Sequence, residues 1–331
     1  MTLHPVALPR RPQVSISSVG FGAASLGNLY QAISDEQAQQ TCDAVTAAGI
    51  TYVDTAPHYG LGLSEERVGG WAGRTPDVVI STKVGRVLEP LDPPWSRDTE
   101  GFDAPARFRR VRDYSAAGIR RSLESSLQRL GRDRVQIALL HDPDDFYDQA
   151  RTESIPELIR MRDEGMVDAI GVGMNGSTML TDFVQRCDID VVMCAGRFTL
   201  LDQSAAKDLL PAAAEHGVAV LAAGVFNSGI LTRPEPAADA TYDYLPAGPA
   251  LIARARRVAQ ICRDHGVSLP DAAVQFPLLH PAVASVVLGM RSAGEVAADV
   301  TAATTAIPVE LWARLVLDGL LPESLLEVLP Q

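Results

Sequence analysis

Short apolar runs, each ending in polar or glycine residues, recur eight times along this chain. They lie near 19–22, 51–54, 78–83, 135–140, 167–173, 190–194, 218–222 and 284–288. Nearly all are separated by stretches with helical hydrophobic spacing. Strands that are apolar on both faces read as a parallel sheet covered by helices. Eight such units over roughly 300 residues fit a closed (β/α)8 TIM barrel better than a doubly wound sheet. A doubly wound sheet would want a glycine fingerprint opening a helix after its first strand. Gly20-Phe21-Gly22-Ala23-Ala24-Ser25 does not supply one. Val14-Ser15-Ile16 adds an N-terminal β-hairpin before the first core strand. No linker interrupts the pattern, so residues 1–331 read as a single barrel domain with long loops at its C-terminal mouth.

Local signals place the helices. Ser34-Asp35-Glu36-Gln37 is a capping box, with Ser34 as cap and Gln37 reaching back. Ser64 is expected to cap a second helix, with Glu65 and Glu66 in its first turn. Ser115 opens a third, whose Ile119, Leu123, Leu127 and Leu130 share one face. The segment 85–114 is a long insertion holding Pro90, Pro93, Pro94, Trp95, Phe102, Pro105 and Phe108. Insertions of this length within a compact domain are usually functional lids or disordered, and this one is read as a substrate lid, mobile without ligand.

In a TIM barrel the C-terminal ends of all strands face one mouth. Asp54, Lys83 and His141 each end a different strand, and Tyr59 lies on the loop after the first of these. The four are therefore expected to converge. A phenol titrates near 10, too high for proton transfer near neutrality. A neighbouring ammonium lowers that value. Asp54 can hold Lys83 charged, His141 can orient a carbonyl or alcohol oxygen, and Tyr59 can act as general acid or base.

With these residues the chain resembles the aldo-keto reductases. Asp54, Tyr59, Lys83 and His141 match that family's catalytic tetrad in order and strand context. Gly20-Phe21-Gly22, the run Arg121 to Gly131, Gly171 to Asn175 and Gly289-Met290-Arg291-Ser292 match further. The resemblance covers about residues 14–305. It implies a barrel that binds NAD(P)H without a Rossmann fold and transfers hydride to or from a carbonyl or alcohol. Asp142 to Asp145 and Gly196 to Gln203 resemble the branch that oxidises aldoses or pyridoxal, so an aldose or related aldehyde is the expected substrate.

The resemblance also assigns cofactor positions. Asn175 matches the residue that holds the nicotinamide carboxamide. Ala195 stands where many relatives have a second amide donor. The loop Phe226, Asn227, Ser228 and Gly229 matches the pyrophosphate cradle, with Asn227 and Ser228 as extra side-chain donors. Arg291 and Ser292 match the pair at the adenosine phosphate, and Glu295 and Asp299 the adenine contacts. Arg291 and Ser292 favour NADP, with NAD possible, because Glu295 could pair with Arg291 or repel a phosphate. His58, Trp95 and Arg197 are taken as substrate contacts; at His58 and Trp95 the competing readings are a plain loop residue and packing within the insertion.

Composition narrows the alternatives. A formal net charge of −12, spread without long runs, argues against nucleic acid and anionic membrane partners. Residues Met1 to Pro12 lack an apolar core, so no signal peptide is expected. No run approaches the ~20 apolar residues of a membrane span. Cys42, Cys187, Cys194 and Cys262 show no metal-ligand or disulfide spacing, which points to reduced thiols in the cytoplasm. No metal site is expected. The only lysines are Lys83 and Lys207. A lysine at a strand end could also form a Schiff base with a carbonyl, but Asp54 beside it would keep the amine protonated. A weakly catalytic NADPH-binding regulatory protein is the third reading.

Overall fold

The computed structural model describes residues 3–92 and 97–327. Its centre is a closed parallel barrel of eight strands. The strands are β1 (Val19–Gly22), β2 (Tyr52–Asp54), β3 (Val79–Val84), β4 (Val135–His141), β5 (Val167–Met174), β6 (Val191–Ala195), β7 (Ala219–Ala223) and β8 (Val283–Gly289). Each pairs with its neighbour in chain order, and β8 closes on β1. The expected barrel is therefore present. Around it lie α1 (Asp35–Ala47), α2 (Leu63–Ala72), α3 (Ala116–Leu130), α4 (Ile155–Asp163), α5 (Ser177–Arg186), α6 (Leu209–His216), α7 (Pro249–Asp264), α8 (Leu269–Gln275), α9 (Ala293–Thr304) and α10 (Val309–Leu317).

Side chains of a strand alternate between faces, and that alternation builds the barrel's interior. Tyr52, Ile137, Leu139, Ala169, Val191, Met193, Ala219, Leu221, Ala284 and Val287 form one buried cluster inside. The odd-even partners of these residues pack outward against the helices. Two steps along the same inward file lie Asp54 after Tyr52 and His141 after Leu139. Ser81 and Lys83 follow Val79 in the same way. The register Asp54↔Ser81 between β2 and β3 brings these polar positions level.

The N-terminal hairpin is longer than the sequence suggested. Pro5–Leu8 pairs antiparallel with Arg11–Ser17, and Val14 and Ile16 sit in its second arm. Leu8, Val14 and Ile16 join the interior cluster, so the hairpin closes the end of the barrel opposite the strand C-termini. Polar contacts fix it there. Asp190, whose side chain is fully buried, accepts from Arg11 Nε at 2.9 Å, Arg162 Nη1 at 2.9 Å and the Ile170 amide at 3.0 Å.

Two capping expectations need correction. Ser34 does cap α1, accepting from the Gln37 amide at 3.1 Å. The Gln37 side chain does not reach back; it donates to Arg291 O at 2.9 Å, tying α1 to the loop before α9. Ser64 lies inside α2, whose cap is the left-handed Gly62. Its hydroxyl instead bonds Thr55 Oγ1 and Ala23 O, because a buried hydroxyl takes the nearest unpaired partner. Ser115 caps α3 as expected, and Gly131 ends it with φ 61°.

No single described helix is long and apolar enough to cross a membrane. Replacing Asp190 by alanine leaves the mostly buried Arg162 short of a partner and should lower stability by about 3–5 kcal/mol. Arg11→Ala, at a side chain 30% exposed, should cost no more than about 1 kcal/mol. Urea midpoints test the pair, and equal small shifts would show that Asp190 is not the anchor.

Candidate functional site

The C-terminal ends of the barrel strands open into a cavity of about 530 Å³. Asp54, Tyr59, Lys83 and His141 all line it. Asp54 and Lys83 are each 2% exposed. Lys83 Nζ donates to Asp54 Oδ2 at 2.5 Å, Thr55 O at 3.1 Å and Tyr59 Oη at 2.9 Å. Its three hydrogens thus have three acceptors. The other oxygen of Asp54 accepts from Ser81 Oγ at 2.7 Å, and Ser81 Oγ also meets Tyr52 Oη at 2.9 Å. The Tyr59 and His141 rings stand edge to face at 6.0 Å.

Electrostatics refine the expectation for Tyr59. Burial raises its phenol above the ordinary value, the Lys83 ammonium opposes this, and Asp54 raises it further. The net direction is upward, so the ammonium limits the rise and does not reverse it. Burial disfavours the Lys83 ammonium, but Asp54 and Tyr59 outweigh this and its value is raised. An amine held protonated is a poor nucleophile, which weighs against Schiff-base chemistry at Lys83. His141 is held neutral by burial and by the nearby cations Arg86 and Lys83. A neutral imidazole can still donate one N–H to a substrate oxygen.

The outer part of the cavity contains residues that the strand pattern did not flag. His58 lines it, but so do Arg86, Glu100, Phe102, Asp142 and Tyr244. Arg86 lies two residues beyond the end of β3 and three beyond Lys83, and Asp142 directly follows His141. The insertion is not a bare loop. Arg86–Pro90 and Phe108–Arg112 form an antiparallel ribbon. Arg110 anchors the arc between them through Asp98 and His58 O, at 2.5 and 2.8 Å. The aromatic side chain it delivers to the cavity is Phe102; Phe108 pairs with Pro90 in the ribbon. Trp95 lies outside the described residues. Arg197 is not in the cavity wall. It pairs with Asp243 at 2.8 Å and Asp202 at 3.3 Å.

Of the expected cofactor positions Asn175 lines the cavity, at the end of β5, whereas Phe226, Asn227, Ser228, Gly229, Arg291, Ser292, Glu295 and Asp299 are not in its wall. The Asn175 amide makes no hydrogen bond among the described residues. A free primary amide there suits a carboxamide. Asn227, Ser228 and Gly229 have φ of 45°, 57° and 94°, and this left-handed turn is readiest for glycine. The amides of Phe226 and Ser228 donate to no described residue, so they suit an anion. The side chains are more committed than expected. Asn227 Nδ2 donates to Gly196 O at 3.3 Å, and Ser228 Oγ accepts from the Tyr244 amide at 3.1 Å.

At the far end Ser292 caps α9, accepting from the Glu295 amide at 3.2 Å. Glu295 folds back. It accepts from the Arg291 amide at 2.8 Å and lies 3.4 Å from Arg291 Nε. Asp299, one turn on, has its carboxyl raised to about 7 by burial and by Glu295. Glu295 is therefore the carboxylate already engaged with Arg291. No group of three His, Cys, Asp or Glu among the described residues could hold a metal ion.

Comparison with known proteins places this architecture. The model of the aldo/keto reductase family matches residues 18–316. The D-threo-aldose 1-dehydrogenase of a Pseudomonas species is 44% identical over 315 residues, which are 93% of this chain and 96% of that protein. The pyridoxal 4-dehydrogenase of Microbacterium luteolum is 36% identical, covering 94% and 96% respectively. The L-galactose dehydrogenase of Arabidopsis thaliana is 31% identical, covering 88% and 85%. Among solved structures, an aldo-keto reductase of Bacillus halodurans in its holo form superposes with a TM-score of 0.73 at 27% identity, covering 96% of each chain. The glycerol dehydrogenase of Gluconobacter oxydans gives a TM-score of 0.77 at 25% identity, covering 96% of this chain and 94% of that one.

Proposed function

This chain belongs to the aldo/keto reductase family and is an oxidoreductase acting on a carbonyl or alcohol, and from that premise we propose that it is an aldose 1-dehydrogenase. The family uses nicotinamide cofactors. The observation that carries the chemistry is the hydrogen-bonded line from Asp54 through Lys83 to Tyr59. The similarity to D-threo-aldose 1-dehydrogenase supports an aldose as the substrate.

In this reading the nicotinamide, when bound, takes up or delivers the hydride. The chain's own residues handle the proton and the oxygen. His141 donates an N–H to the substrate oxygen and orients it. Tyr59 Oη takes the hydroxyl proton in oxidation or supplies it in reduction. Lys83 stabilises the phenolate that forms in between, and Asp54 keeps Lys83 charged and aimed. The Asn175 amide would hold the carboxamide, and the 226–229 turn the pyrophosphate. Ser292 and Arg291 would meet the adenosine end.

A panel of aldoses, pyridoxal and aromatic aldehydes, run with both cofactors and followed by nicotinamide absorbance, tests the substrate class. Turnover of pyridoxal with no aldose oxidised would transfer the assignment to the second relative's activity. Within the panel, Tyr59→Phe should abolish hydride transfer with little change in cofactor affinity. Lys83→Met should remove most activity and move the oxidation profile toward alkaline pH. The sign follows from the cause: the ammonium is the group that opposes the rise of the phenol. An opposite charge at this range lowers a pKa by about 1–3 units, so its removal should shift the limb by a comparable amount. An unmoved limb would leave Lys83 a structural residue.

For the cofactor's far end we propose that NADP is read by Arg291 and Ser292 in competition with Glu295, so that NAD is accepted as well. A charge-assisted hydrogen bond contributes about 1.5–3 kcal/mol, or roughly tenfold to hundredfold in affinity. Arg291→Ala should weaken NADP by about that factor and leave NAD nearly unchanged. Glu295→Gln should strengthen NADP relative to NAD. Fluorescence titrations check both, and parallel changes for the two cofactors would mean that this corner does not read the phosphate.

A further inference from the structure

Asp142 has a backbone conformation that needs explaining. Its φ is 46°, a left-handed value that costs energy in residues other than glycine and is kept where the surroundings enforce it. The enforcement is visible. The Asp142 amide donates to Gly173 O at 3.0 Å. The buried Tyr114 hydroxyl donates to Asp142 O at 2.9 Å and also contacts His141 O. Tyr114 can come this close because the residue after β3 is Gly85, where a Cβ would meet its ring at 2.6 Å.

The strained turn aims the carboxylate into the cavity beside the reacting centre. Asp142 Oδ2 lies 3.7 Å from His141 Nε2. Arg86 Nη2 bonds the same oxygen. Asp142 Oδ1 accepts from no described residue, and the side chain remains 34% exposed. The bond to Arg86 thus leaves one carboxylate oxygen without a partner among the described residues, on a side chain that lines the cavity. The other branch of Arg86 reaches His58 Nδ1 at 3.1 Å. Because Arg86 must donate there, His58 carries its proton on Nε2. Burial, Arg86 and Arg110 hold that imidazole neutral, at about 3. Arg86 thus fixes an acceptor on one side and a donor on the other, both in the cavity wall.

We propose that Asp142, held by Arg86, is the specificity residue that accepts the hydroxyl on the carbon next to the reacting carbon of an aldose. The substrate oxygen at His141 Nε2 and a vicinal hydroxyl at the Asp142 carboxylate, whose Arg86-bound oxygen lies 3.7 Å from that nitrogen, would make two adjacent hydrogen bonds. An aromatic aldehyde has no hydroxyl to offer there. A site built to bond a hydroxyl rejects the analogue that lacks it, because its polar group is left unpaired. The inference rests on the aldose reading above.

The test uses D-arabinose and 2-deoxy-D-ribose, which differ only in the hydroxyl at C2, with benzaldehyde reduction as a separate check of turnover. The readout is the ratio of kcat/KM for the two sugars in wild type and in Asp142→Ala. Comparing ratios cancels the intrinsic reactivities of the sugars. A hydrogen bond to a charged group corresponds to roughly a tenfold to hundredfold ratio. The ratio should fall by about that factor in Asp142→Ala. Asp142→Asn keeps a residue that tolerates the left-handed turn and should lower the ratio in the same direction, which decides the matter if the alanine variant does not fold. A ratio unchanged in both variants, with wild type oxidising both sugars, overturns the assignment of Asp142 alone. Wild type that reduces benzaldehyde but oxidises neither sugar overturns the aldose reading and this assignment together.

Discussion

The ion pair between Asp54 and Lys83 is the interaction on which the rest of the site depends. Both charges are almost wholly out of water, and two such groups lose several kcal/mol of hydration each. They persist because each ammonium hydrogen and each carboxylate oxygen has a partner. Lys83 has three acceptors and Asp54 has Ser81 in addition. The barrel supplies the geometry. Asp54 pairs in register with Ser81, and Lys83 stands two residues further along the same inward file. A one-residue slip between β2 and β3 would turn Lys83 toward the helices and leave Asp54 buried alone.

Much of this was legible in the sequence because it depends on local order. An apolar run ending in a polar residue marks an inward file that reaches the mouth, and Asp54, Lys83 and His141 each end such a run. Parallel pairing of consecutive strands then brings them together. Features set by contacts distant in sequence were not legible. Gln37 could have closed its own capping box, but in the folded chain its side chain donates to Arg291 O instead. Ser64 could have capped a helix, but it is buried against Thr55 and Ala23. The ribbon within the insertion pairs Arg86–Pro90 with Phe108–Arg112, arms too far apart in sequence for a turn signal to mark them. Its anchor, Arg110 to Asp98 and His58 O, joins residues from separate segments.

The direction of the Tyr59 pKa was also beyond the sequence. Reasoning from the ammonium alone gives a lowered phenol, whereas burial turns out larger. The same burial keeps His58 and His141 neutral. In the proposed mechanism one ammonium, fixed by one carboxylate, would therefore supply the positive charge at the reacting oxygen. The imidazoles contribute donors without charge. Asp142 and Arg86 sit just outside as a second carboxylate and cation, paired with each other.

In the proposed mechanism Asp54 acts through Lys83, so that the two residues form one unit. A double-mutant cycle of Asp54→Asn and Lys83→Met, read in kcat/KM for an oxidised aldose, measures this directly. If the two residues are one unit, each single change should lower kcat/KM strongly and the double mutant should fall little below the worse single mutant. Losses that multiply, so that the double mutant shows the product of the two single effects, would contradict it and leave Asp54 and Lys83 as independent contributors.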